Sequence, residues 1–129
     1  MIKTTLPIVE KAIENDKLVT AKKTIDVKID TSIFAEERWE SNFPQNARRE
    51  TLFAYVERIK TDGLNDKAHI LSNLKALYCF IEGDAIPDFK SFCQMFDIAD
   101  GEYLNELTSK MRVVFDIALN GSAVTQKNL

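Results

Sequence analysis

The sequence predicts a mainly α fold: four to five helices packed around one central apolar helix at about residues 65–82, with a small β element near residues 17–30. Three observations lead there. Asn65 to Glu82, NDKAHILSNLKALYCFIE, carries Ile70, Leu74, Leu77 and Ile81 at helical spacing, between a polar start and Gly83. Leu52, Tyr55, Val56 and Ile59, and later Leu104, Leu107, Met111, Val114 and Ala118, repeat the three-four pattern. A period of two stands out at Ile25, Val27 and Ile29, with Asp26 and Lys28 between them.

The central helix is justified first by its ends. Asn65 and Asp66 are residue types that accept hydrogen bonds from the free N–H groups of a first turn. Gly83 is the usual left-handed terminator. Leu71 and Tyr78 widen the stripe, and Cys79 and Phe80 nearly close the circle. A helix apolar on most sides must be covered on several of them. Leu74 or Leu77, if fully buried, contributes about 1.5–3 kcal/mol of transfer free energy. One side of this helix could equally be a partner's binding surface.

Residues 1–23 admit two readings. Pro7 could open a short helix with Ile8, Val9, Ala12 and Ile13 on one side, or Leu6 to Val9 could be extended; the short helix is preferred. Asn15-Asp16 marks a turn. The strand at Thr24–Asp30 needs a partner for its backbone. Lys17–Ala21 could supply it across Lys22-Lys23, or a strand of another subunit could. Thr31 or Ser32 then begins a helix with Ala35, Trp39 and Phe43 on one side. Pro44 suits the first turn of a new helix, which runs to about Thr61 and stops at Asp62-Gly63. The central helix follows after a very short turn, so these two should be antiparallel neighbours. Pro87 opens a short helix with Phe89, Phe92, Cys93 and Phe96 on its face. Asp100 caps the last helix, which should end near Leu119 at Asn120-Gly121. Residues 122–129 read as a mobile tail, and the 129 residues as one domain.

Composition narrows the function. The chain is 45% hydrophobic and 29% charged, with net charge −3. Basic residues are scattered among acidic ones, whereas a phosphate-binding protein needs a positive face. Neither nucleic acid nor membrane is expected as a partner; no apolar run is long enough to span a bilayer. The N-terminus lacks the layout of a secretion signal, so a cytoplasmic protein is expected.

The search for chemistry returns little. His69 is the only histidine, so no two-histidine metal site can form. A nucleophile built from His69 and Cys93 would need tertiary folding to bring them together; Cys79 and Cys93 read as small buried hydrophobes. Glu102 and Glu106 share a helix side, but two carboxylates are too few oxygen ligands for a divalent ion. No glycine forms a phosphate-binding loop. Phe89–Leu107 has the outline of a helix-turn-helix, yet its second helix opens with Asp100, Glu102 and Glu106, which repel a duplex. The expectation is no enzyme, no catalytic or metal residues and no cofactor. Phe53, Phe80, Met95, Val113 and Ile117, which fall off the main stripes, and Val56 from the Leu52–Ile59 stripe are the candidate partner-binding residues. The alternative is that packing within the domain absorbs them.

Four stretches resemble the tail assembly chaperones of long-tailed siphophages that infect Gram-positive bacteria, of lactococcal and streptococcal type. They are DTSIFAEERWESNFP at 30–44, LFAYVERI at 52–59, LSNLKALYCFIEGDAIPDFKSFCQMFD at 71–97 and ADGEYLNEL at 99–107. The resemblance implies a protein of the host cytoplasm that binds the phage tape measure protein, keeps it soluble and is released as the tail tube assembles. It implies self-association, a possible encounter with the tail-tube protein, and absence from the mature virion. The other functions considered are a helix-turn-helix regulator and a structural phage head or tail protein.

Overall fold

The computed structural model describes residues 2–64 and 67–126, with side chains up to Asn120. The proposed capping by Asn65 and Asp66 lies outside the described residues, as does the end of the tail, 127–129. The fold is α+β, which corrects the mainly α expectation. Strands β1 (Ile2–Glu14) and β2 (Lys17–Ile29) form a long hairpin. Helices α1 (Ile33–Asn42), α2 (Pro44–Ala47) and α3 (Leu52–Asp62) follow, then a 3₁₀ turn at Lys67–His69 and α4 (Ile70–Phe80). The two-residue strand β3 (Ile81–Glu82), α5 (Phe89–Cys93) and α6 (Gly101–Gln126) complete the chain. The antiparallel sheet has the order β1-β2-β3.

The hairpin replaces both the short helix expected within 1–23 and the turn considered at Lys22-Lys23. Its turn is Asn15-Asp16, both in the left-handed region at φ 52° and 62°. That pair of positive values defines the two-residue turn whose twist matches the flanking strands, and Asn and Asp tolerate it better than other side chains. Glu14 faces Lys17 and the register runs down to Ile2 facing Ile29. At the root, Leu6, Pro7, Ile8 and Val9 are buried in succession, so both faces are covered and the strand loses its alternation.

The turn also fixes the hydrogen-bond phase. Glu14 and Lys17 exchange ladder bonds, so alternate residues from there point their N–H and C=O outward. Val9, on an outward position, donates to the Met95 carbonyl at 2.9 Å, and Asp30 donates to the Phe80 carbonyl at 2.7 Å. Pro7 also stands outward, where a missing N–H breaks no ladder bond. Its carbonyl accepts from the buried Tyr103 hydroxyl at 2.7 Å.

Ser32 caps α1, accepting from the Phe34 N–H at 3.3 Å. The helix expected from Pro44 to Thr61 is broken after Ala47. Thr51 caps a new start by accepting from the Ala54 N–H at 3.2 Å, and the Trp39 indole donates to the Glu50 carbonyl inside the break at 3.0 Å. Gly63, at φ 97°, ends α3.

Helix α4 packs against α1, α3, α5 and α6. It stops at Phe80, short of Gly83, because α1 and the residue after β2 take its last carbonyls: Arg38 Nε donates to Cys79 O at 2.8 Å, and Asp30 N–H to Phe80 O. Ile81 and Glu82 then pair with Ile29 and Lys28. Gly83 serves a different purpose from helix termination. A Cβ there would lie 3.1 Å from the Asp26 carbonyl, so the loop could not approach the sheet so closely with a side chain.

Asp100 caps α6, its carboxylate accepting from the N–H groups of Glu102 and Tyr103 at 3.0 and 3.2 Å. The helix does not stop at Asn120-Gly121 but continues to Gln126, through five of the eight residues read as a tail. An interior glycine costs a helix only about 1 kcal/mol. One core joins these elements, with Trp39, Tyr103, Phe80, Phe92 and Phe115 among its fully buried side chains.

Candidate functional site

Ile2, Leu71, Ile98 and Val113 are exposed, and two further places hold large apolar side chains in solvent as neighbours. The first is at the start of α1. Ser32 sets the helix so that Ala35 and Trp39 face the core, which turns Ile33 and Phe34 outward, 81% and 59% exposed. Ile33 and the half-buried Phe53, from the first turn of α3, line a shallow groove of about 540 Å³ with Glu36, Glu37, Glu40 and Thr51. The Glu36 carboxylate accepts from the Phe53 N–H at 3.4 Å, tying the two helices together. None of the three glutamates has an ion-pair partner among the described residues. The groove is therefore apolar on its floor and negatively charged along one rim. That chemistry suits a helix with a greasy stripe flanked by lysine or arginine.

The second is the outer hairpin. Residues 10–24 are exposed on both faces of the ribbon. Ile13 and Leu18 face each other near its tip, 77% and 66% exposed. Lys11 pairs with Asp97 at 3.1 Å and Lys22 with Asp100 at 3.7 Å, so the arm is tethered partway along. Beyond those tethers it has no cover among the described residues.

The six predicted binding residues are scattered. Val56 and Phe80 are wholly buried, with no accessible surface to offer a partner; Phe80 packs edge-on to Phe53 and Phe115, with centroids 5.7 and 6.4 Å away. Multi-sided packing absorbs them. Met95 is half-buried beside the β1 edge, and Ile117 is half-buried on α6. Val113 is 51% exposed on α6. Phe53 alone lines the groove. Ile33, Phe34, Ile13 and Leu18 were not among the candidates. The signal for the first two was available: both fall off the Ala35–Trp39–Phe43 stripe, at the very start of the helix.

The thiols do not look like nucleophiles. Burial pushes Cys79 up to about 12 and raises Cys93 as well, whereas an activated thiol needs the opposite shift. Among the described residues no group of three metal-ligating side chains comes together, and no helix is long and apolar enough to cross a membrane. In the helix-turn-helix segment, α5 has only five residues, and Asp100 is committed to capping α6 and to Lys22.

No protein-family model matches this chain, and neither a curated protein nor a solved structure does.

Proposed function

We propose that this chain is a non-enzymatic, polypeptide-binding protein: a phage tail assembly chaperone that holds the tape measure protein soluble and lets it go as the tail tube assembles. The observation that carries the reading is the outward display of Ile33 beside Phe53, with Glu37 and Glu40 on the rim and the exposed Phe34 next to it in the chain. Folding leaves these side chains in water, so a partner helix that covers them gains about 25 cal/mol per Å² of apolar surface removed from solvent. The patch falls within DTSIFAEERWESNFP and the start of LFAYVERI, two of the stretches that carry the resemblance to this class. The reading places the protein in the host cytoplasm, self-associated, and outside the finished virion.

The test is co-expression with the tape measure protein of the same phage. The wild-type chain is expected to move the tape measure into the soluble fraction. Ile33→Asp should abolish this while thermal melting stays unchanged, since the side chain lines the groove and is 81% exposed. Equal tape measure solubility with and without the chain would overturn the proposal, and finding the chain in purified virions would favour a structural tail or head protein.

A further inference from the structure

We infer that the outer edge of β2 is a dimerisation surface, where a second copy of this chain adds its own β2 antiparallel across a twofold axis near Ala21. The chaperone reading calls for self-association without placing it; the strand edge gives it a place on grounds of its own.

The edge is open. β3 covers β2 only at Lys28 and Ile29, and the chain turns off the sheet at Gly83–Ile86, where the Ile86 N–H donates back to the Gly83 carbonyl at 3.2 Å. From Lys17 to Ile25 no strand among the described residues pairs with the outward groups, which by the phase of the turn belong to Leu18, Thr20, Lys22 and Thr24. A solitary two-stranded ribbon, wet on both faces, is marginal in water, and its free edge is a template for another strand.

Phase and charge together select a single register. Two β2 edges bond only when outward residues meet outward residues, so the facing residue numbers must sum to an even value. Three such registers pair nine or more residues between Lys17 and Val27. One sets Lys22 against Lys22 of the second copy, and another sets Lys23 against Lys23, both repulsive. The remaining register sets Ala21 against Ala21, Thr20 against Lys22 and Leu18 against Thr24, with no like charges facing. It uses residues 17–25 and stops short of the Gly83 loop. The second copy's turn then arrives at an open cleft of about 900 Å³, whose lining mixes Lys3 and Lys28 with Asp26, Glu82 and Asp84. The arms point in opposite directions, which keeps the two globular bodies apart.

The full-length chain should sediment as a concentration-dependent dimer. Thr20→Pro removes an outward N–H and leaves the hairpin ladder intact, so it should shift the equilibrium to monomer by at least tenfold with the circular dichroism and melting of the parent. Independently, Ala21→Cys should cross-link between copies under mild oxidation, because directly facing residues of a non-hydrogen-bonded pair lie about 4.5 Å apart between Cα atoms. Thr24→Cys should not, nor should the parent with its native cysteines. A parent that stays monomeric at every concentration, or Thr24→Cys cross-linking as fast as Ala21→Cys, would overturn the inference. Loss of tape measure solubilisation without a change in dimerisation would count against the chaperone reading alone.

Discussion

Asp30 is the residue on which several elements converge. Its N–H holds the end of α4, its carboxylate accepts from the Ser32 N–H at 2.9 Å, and Arg38 donates to it at 2.9 Å while also reaching the Cys79 carbonyl. Burial alone would raise the carboxyl's pKa, but the hydrogen bonds from Ser32 and the Arg38 guanidinium outweigh it and hold the group below the ordinary carboxylate range. A carboxylate whose folded pKa is depressed contributes stability that is complete above its unfolded value, about 3.9, and is lost as pH falls through the folded value. Asp30→Asn is therefore expected to cost about 1.5–3 kcal/mol at neutral pH. That deficit should shrink as acid strips the charge from the parent. Denaturant melts of both proteins at neutral pH and below pH ~3 would show the two curves converging; a constant gap would refute the linkage.

At the scale of elements, the hairpin turn invites a direct test. Asn15 and Asp16 both sit at positive φ, where glycine meets no Cβ penalty. Asp16→Gly should raise stability by up to about 1 kcal/mol, and Asp16→Val should lower it by about 1–2 kcal/mol, read from thermal melts. The same turn shows what could be read beforehand. Asn15-Asp16 was legible as a turn, and the period of two placed β2 correctly from Thr24 onward. β1 was not legible, because Leu6 to Val9 are buried on both faces of the ribbon and their continuous apolar run fits a helix equally well. The α2–α3 break was hidden too: Arg48 to Glu50 carries no glycine or proline, and the Trp39 indole bond to Glu50 that secures it is a tertiary contact. Helix stripes were legible where one face meets the core, as at Leu52, Val56 and Ile59. The choice of Val56 and Phe80 as surface failed because α3 and α4 are covered on more than one side.

At the scale of the whole molecule, the two cysteines report on cooperativity. Cys79 is enclosed between α1 and α4, and burial keeps its thiol protonated at ordinary pH; Cys93 is half-exposed and less strongly shifted. In the native protein at mildly alkaline pH, Cys93 should react with a thiol reagent at least roughly ten times faster than Cys79. Cys79 should become reactive only at the denaturant concentration where the circular dichroism is lost. Earlier labelling of Cys79 would mean that α4 opens separately from the rest.

The junction at Phe80–Ile81 has a mechanical consequence. Helix becomes strand there with no intervening residue, and that strand is stitched to the root of the hairpin. The projecting ribbon is thus a rigid handle bolted to the innermost rod of the protein rather than a hinged flap. Whatever grips the handle pulls on the centre, and the handle can be trimmed from its far end only as far as the Lys11 and Lys22 anchors before the cut lays bare the middle of the globule.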